Sequence, residues 1–199
     1  LTWKAFIKLA RHPLLITVSL MALLYQFAIF AGIFGFMPVY ATKIGAGPAE
    51  LGIITMIGLS SAALAALTVV YLTNRWGYPT IIFIGSVLMS IGLLATPFIE
   101  KVYLLEVIQV FNGTGRGLLG TTLMALSIRD IPPVQRAMAM GIFQATYAIG
   151  MLLGPLTSGF LGNSLGLASI FYVSGSLCLL IGAMAYLPML ARQLRVSKQ

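Results

Sequence analysis

Four long stretches of this 199-residue chain contain no lysine, arginine, aspartate or glutamate. They run from His12 to Thr42, from Leu51 to Asn74, from Trp76 to Ile99 and from Ala137 to Ala191. A bilayer crossing needs about 20 apolar residues as a helix, so each of the first three runs is long enough for one crossing and the last for two. Backbone polar groups in lipid must be satisfied within the segment, which leaves helices as the natural form. Composition agrees, with charged residues at 8% against about 25% in a soluble domain. Mean hydropathy is +1.01. The chain reads as an all-α, polytopic membrane protein.

The breakers between the runs delimit six helices, at roughly 13–40, 48–72, 79–98, 102–127, 137–160 and 166–190. "GAGPAEL" places Pro48 and Glu50 in a first helical turn. "NRWGYP" separates the second and third helices, "RDIPPVQR" the fourth and fifth, and "LGNSLG" the fifth and sixth. Residues 13–190 form the bundle, between a basic lead-in at 1–12 and a basic tail at 191–199. In the lead-in, Lys4, Lys8 and Arg11 share one helical face and Trp3, Phe6 and Ala10 lie roughly opposite. That pattern suits an interfacial amphipathic helix, with an ordinary basic juxtamembrane tail as the equal alternative.

Short-loop cations orient the bundle. With six crossings both termini share a side, and that side holds Lys4, Lys8, Arg11, Arg75, Arg129, Arg136, Arg192, Arg195 and Lys198. The other side holds only Lys43 and Lys101. Both termini are therefore expected in the cytoplasm, with the protein multi-pass in the cell membrane.

Several function classes fall away. The net charge is +8, but its cations are scattered along membrane edges, so nucleic acid is not an expected partner. The single Cys178 offers no disulfide or metal framework. An intramembrane enzyme would need a nucleophile–base pair or a metal cluster at depth. The one histidine, His12, sits at the membrane edge and no aspartate lies within a span. Neither an enzyme nor a cofactor or metal site is expected, and no cleavable signal peptide is evident.

The fourth helix carries the one continuous polar stripe. Glu106, Gln109, Asn112, Gly113 and Arg116 fall within an arc of roughly 120° on a helix of 3.6 residues per turn. Intramembrane charges cost about 2.5–3.5 kcal/mol on insertion scales and mark functional interiors. Arg116 lies near the helix centre, about 15 Å from either interface, so snorkelling does not explain it. Glu106 lies about one turn from the outer end, where snorkelling does. A structural ion pair is the other reading of Arg116, and Glu106 is too far along the helix to be its partner. Tyr25 and Gln26 in the first helix, and Gln144 and Tyr147 in the fifth, are candidates for the same pathway. Singly, such a residue is more often an interhelical hydrogen bond than a ligand contact. The small residues of "GLSSAALAAL" and "GTGRGLLG" read as close-packing surfaces.

In "RAMAMGIFQATYAIGMLLGPLTSGFLG", Gly141, Gly150, Gly154, Pro155, Ser158 and Gly159 follow a spacing that resembles the glycine–proline signature of the major facilitator superfamily, with Ser158 in place of a glycine. Glycines allow close helix approach and a proline loosens the helix. "YLTNRWGYP" resembles a degenerate form of that family's loop between helices 2 and 3. Arg75 and Gly77 match there, and Asn74 replaces the usual acid. "QVFNGTG" resembles its fourth-helix signature, with Gln109 where an arginine is common.

The resemblance implies a transporter half: six helices as two inverted three-helix repeats, with a substrate site between two halves near the midplane. The degenerate loop, the displaced arginine, the leading Leu1 and the basic lead-in favour the carboxy-terminal half. The function implied is secondary active transport of a small molecule by alternating access, leaning toward proton-coupled export. Its expected partners are the substrate, protons, the lipid bilayer and a second six-helix half. The alternative is a half-size membrane protein acting as a homodimer, or a non-transporting scaffold or sensor.

Overall fold

The charge-free runs are helical in the computed structural model, which describes the backbone of residues 3–196 and the side chains of residues 6–186. The side chains of Trp3, Lys4 and the tail at 191–199 lie outside that range. The helices are α1 (Trp3–Ala10), α2 (Pro13–Ala28), α3 (Met37–Lys43), α4 (Pro48–Trp76), α5 (Tyr78–Ala95), α6 (Val102–Ile128), α7 (Arg136–Leu165) and α8 (Leu167–Val196). A π-helical segment, Ile29–Phe36, joins α2 to α3, and no strand occurs among the described residues.

Local chemistry explains the breaks. Pro48 opens α4 without needing a backbone donor, and the Glu50 carboxylate accepts the Gly47 N–H at 2.9 Å. At Gly77 (φ +80°) and Gly166 (φ +83°) the chain turns through left-handed backbone, which only glycine adopts without strain. α7 therefore runs through most of "LGNSLG" to Leu165, and the expected interruption at 161–166 shrinks to Gly166.

The first span is not one α-helix, as the 13–40 reading had it. Pro38 has no N–H, and its ring would clash with the carbonyl four residues back. The turn before it is widened instead, and the Met37 N–H donates to Gly32 O, five residues back. A Cβ on Gly35 would stand 2.5 Å from the Phe30 carbonyl, so this wide turn depends on a residue without one.

Small residues set the packing, because lipid supplies no hydrophobic drive between membrane helices and close backbone approach must serve. Gly113 and Gly117 of α6 lie on Gly58 and Ala62 of α4, so closely that added Cβ atoms would overlap the Gly58 and Ala62 carbonyls. Gly150 and Gly154 of α7 lie likewise on Leu23 and Phe27 of α2. On the other side of α6, a Cβ on Gly115 would meet Gly85 O and Met89 N of α5 at 2.6 Å. α5 and α8 pack together, and Ser90 Oγ donates to Gly175 O at 2.9 Å. Thus α4 leans on α6, and α7 leans on α2.

Tyr40, Phe171, Leu93 and Cys178 belong to one buried cluster. The Tyr40 hydroxyl reaches the carbonyls of Ile99 (2.9 Å) and Pro97 (3.1 Å), tying the end of α3 to the turn after α5. Tyr40→Phe leaves these carbonyls without their donor. It should cost about 1–2 kcal/mol, read as a lowered unfolding midpoint of the purified protein.

Five helical stretches are long and apolar enough to cross a membrane: Pro13–Lys43, Pro48–Trp76, Tyr78–Phe98, Pro133–Leu165 and Leu167–Tyr186. α6, at 27 residues, has the length, but its polar stripe dilutes its hydropathy. It is sandwiched between α4 and α5 and also touches α2.

Candidate functional site

The six-span expectation turns on α6, and so does the candidate site. Its polar stripe faces two neighbours at once. Gln109 and Asn112 are both buried, at 3% and 1% exposure, but they point differently. Gln109 lies beside Gly58 of α4, its Nε2 3.6 Å from where a Gly58 Cβ would stand. Asn112 is pressed onto Gly92 of α5. Its Nδ2 donates to Gln109 Oε1 at 2.9 Å, while its own Oδ1 is buried without a hydrogen-bond partner. Asn112 thus holds Gln109 from the α5 side.

Arg116 is half-buried. Its Nη2 donates to Gly58 O at 3.2 Å, and its guanidinium lies 5.1 Å from the Phe34 ring centroid. Phe34 belongs to the π-helical segment, and Phe30 braces it edge-on at 5.6 Å. Tyr25 of α2 donates its hydroxyl to the Arg116 backbone carbonyl at 3.0 Å, in space that a side chain at Gly120 would fill. Among the described residues the ion pair within 4 Å is Arg129–Asp130, at 3.7 Å and exposed. Arg116 has no carboxylate counterpart in this part of the chain, so the ion-pair reading finds no partner here.

Three adjoining clefts share these residues. One runs between the π-helical segment and α4, lined by Phe34, Met37, Thr55, Gly58, Gln109 and Arg116 among others. A second is lined by Tyr25, Gln26, Phe30, Ala62, Met124 and again Arg116. The third shares Tyr25 and Gln26 with the second and adds Phe143 and Tyr147. Together they make a trough along α6, with Arg116 common to its first two parts and the single formally charged residue lining any of them.

The remaining sequence candidates separate. Gln144 is exposed on α7, and Glu106 is half-buried about three turns from Arg116 along α6; neither lines these clefts. Of the helix-5 signature, Gly150, Gly154 and Ser158 are buried, Pro155 sits in the unbroken interior of α7, and Gly141 and Gly159 face open space. Asn74 is exposed, Arg75 donates to the Tyr71 hydroxyl at 3.2 Å, and Gly77 makes the turn between α4 and α5. Phe34, Thr55 and Met124 line the trough but drew no notice in the sequence. Two are ordinary membrane residues, and Phe34's position depends on the π-helical turn.

The trough can hold and orient a molecule with an apolar body and a polar or charged end. No group of three or more histidine, cysteine, aspartate or glutamate side chains gathers among the described residues.

The model of the Major Facilitator Superfamily matches residues 6–198. An uncharacterized MFS-type transporter of Methanocaldococcus jannaschii is 30% identical over 163 residues, covering 79% of this chain and 40% of that protein. The multi-drug resistance efflux pump PmrA of Streptococcus pneumoniae is 24% identical over 145 residues, 71% of this chain and 36% of the pump. The proton-coupled antiporter flippase LtaA of Staphylococcus haemolyticus is 25% identical over 164 residues, 80% of this chain and 41% of the flippase. The chain spans less than half the length of these relatives.

Proposed function

Because this multi-pass membrane chain belongs to the Major Facilitator Superfamily, we propose that it supplies one half, the carboxy-terminal one, of a secondary active transporter that moves a small molecule by alternating access. The observation that carries this reading is Arg116: the single charge lining a membrane-embedded trough, with no carboxylate of its own part of the chain beside it. A charge placed there is costly unless it meets substrate, ion or a partner half. Tyr25, Gln26, Gln109, Arg116 and Tyr147 would line the path, and Asn112 would position Gln109.

Two inverted three-helix repeats fit the exchanged packing, in which α4 leans on α6 and α7 on α2. On this reading α6 crosses as well, its polar stripe screened from lipid by its neighbours. α4 and α7 keep the least of their spans buried, 22% each. Their open faces, flanking the trough, would receive a second six-helix half from the same protein or from a second copy. Glu106 would then have a neighbour it lacks here. Export coupled to protons is the direction favoured, since two of the relatives are named as an efflux pump and a proton-coupled antiporter.

Transport by the protein in proteoliposomes, with and without an imposed proton gradient, tests the reading. Gradient-driven flux is expected, and its absence across a broad substrate panel would defeat it. Topology is a separate expectation. Cysteines replacing Lys43, Lys101 or Asn163 should react with an impermeant maleimide from outside intact cells, whereas ones replacing Trp76 or Val134 should not. Equal reactivity of the Lys101 and Val134 positions would mean that α6 does not cross.

A further inference from the structure

We infer that the trough takes an amphiphilic organic monoanion, with a carboxylate or phosphodiester oxyanion on an apolar body. This deepens the reading of the trough as a transport path and rests on it. A guanidinium offers five N–H donors, and Arg116 spends one, to Gly58 O at 3.2 Å. The Tyr25 hydroxyl engages the Arg116 backbone carbonyl and leaves the guanidinium alone. Phe34 lies against the guanidinium at 5.1 Å and so keeps some water from it and limits the directions in which it can turn. A planar fork held in that way matches a carboxylate bidentately.

Gln109 strengthens the same preference. Its Oε1 is engaged by Asn112 Nδ2 at 2.9 Å, and it lines the same cleft as Arg116. Its Nε2 makes no hydrogen bond to a described residue, so what Gln109 has left to offer is a donor. Acceptors there are few: Gly58 O takes Arg116, and the Thr55 hydroxyl, its proton spent on Leu51 O at 2.9 Å, leaves only its own oxygen to accept. This part of the trough is rich in donors and poor in acceptors.

The rest of the wall is largely apolar, including Ile29, Phe30, Leu59, Met124 and Met151, with Gln26 and Thr121 as uncharged polar members beside Tyr25. It would house a hydrocarbon or aromatic body. One cation balances one negative charge. A second charge on the ligand would sit uncompensated among apolar walls, which is costly, and a cationic ligand would be repelled with no acid to receive it.

The probe is radiolabelled laurate, bound to the protein in neutral phosphatidylcholine nanodiscs. Dodecyltrimethylammonium and dodecanol, of the same chain length, serve as competitors. Laurate should bind at least about 10-fold tighter than either, the scale of a charge-assisted hydrogen bond. R116Q should erase that preference at an unchanged melting temperature, and R116K should retain part of it. If R116Q fails to fold, R116K and Q109L decide, each expected to weaken laurate several-fold. Wild-type preference in a folded R116Q, or in both of the other variants, would overturn the inference, as would equal competition by the cation.

Phosphatidylglycerol added to the disc separates two sources of the same chemistry. Displacement of laurate identifies a lipid headgroup, and retention identifies a water-borne anion; either supports the class. Laurate preference without any gradient-driven flux would keep the site and sink the transporter. Flux of the cation unaffected by R116Q would keep the transporter and sink the anion.

Discussion

Gly150→Val is expected to leave little folded protein in the membrane. The added Cβ would overlap the Leu23 carbonyl oxygen and stand 3.0 Å from its carbon and 3.1 Å from the Phe27 nitrogen. All three are backbone atoms of α2, which cannot swing aside as a side-chain tip can. α7 would have to back away along the whole seam, giving up the Gly154 contact with Phe27 O and Ala31 N as well. Overpacking a tight interior costs about 1–3 kcal/mol and occasionally more, and a backbone-to-backbone seam belongs at the upper end. Folded yield and the thermal midpoint in mild detergent provide the measurement. Gly141→Ala and Gly159→Ala, in the same signature, should behave oppositely. A Cβ at either meets nothing within 4 Å, and alanine gains up to about 1 kcal/mol of helix propensity over glycine. Equal damage from all three would mean that the signature acts through something other than packing.

Arg116→Ala is expected to abolish transport in a protein that still folds. The side chain contributes one hydrogen bond to a helix carbonyl and one contact with an aromatic face. Exposed or half-buried interactions of these kinds are worth about 0.5–1.5 kcal/mol each. Were Arg116 instead half of a buried ion pair with a group outside the described residues, its loss would cost about 3–5 kcal/mol. The two outcomes separate when the thermal midpoint and flux are measured on the same purified variant. Flux below about a tenth of wild type is expected, in line with a lost charge-assisted contact, with the midpoint lowered by only a few degrees. Normal flux in well-folded Arg116→Ala protein would leave the arginine without a role.

Hydropathy made much of this architecture readable, because a charge-free run of bilayer length has few alternatives to a helix. The turn at Gly77 and the Pro48–Glu50 start were equally plain, since each rests on one residue's own stereochemistry. The π-helical segment was not. A helical wheel assumes a constant rotation per residue, and the wide turn ahead of Pro38 shifts every later side chain of that span. Phe34 therefore met Arg116 unannounced.

The stripe on α6 was visible as a stripe, but an arc of roughly 120° is wide enough to face two helices. Arg116 and Gln109 look into the trough while Asn112 is folded against α5, because α5 offers a glycine, Gly92, at that level. What a stripe faces is decided by the residues opposite it, and these lie far away in sequence. In the same way, the helix-5 signature was legible as small residues but not as two inward glycines and two outward ones.

The burial of Cys178 has a practical use. The thiol is fully enclosed, out of reach of water-borne reagents while the bundle is intact, so this stretch of chain is a quiet background for site-directed spectroscopy. Spin labels introduced at Leu67 on α4 and Leu156 on α7, which are 80% and 68% exposed, would report from the two open faces. A change in the distance between them on adding laurate would give a direct ruler for any opening or closing of the trough. A label that reached Cys178 itself would signal unfolding.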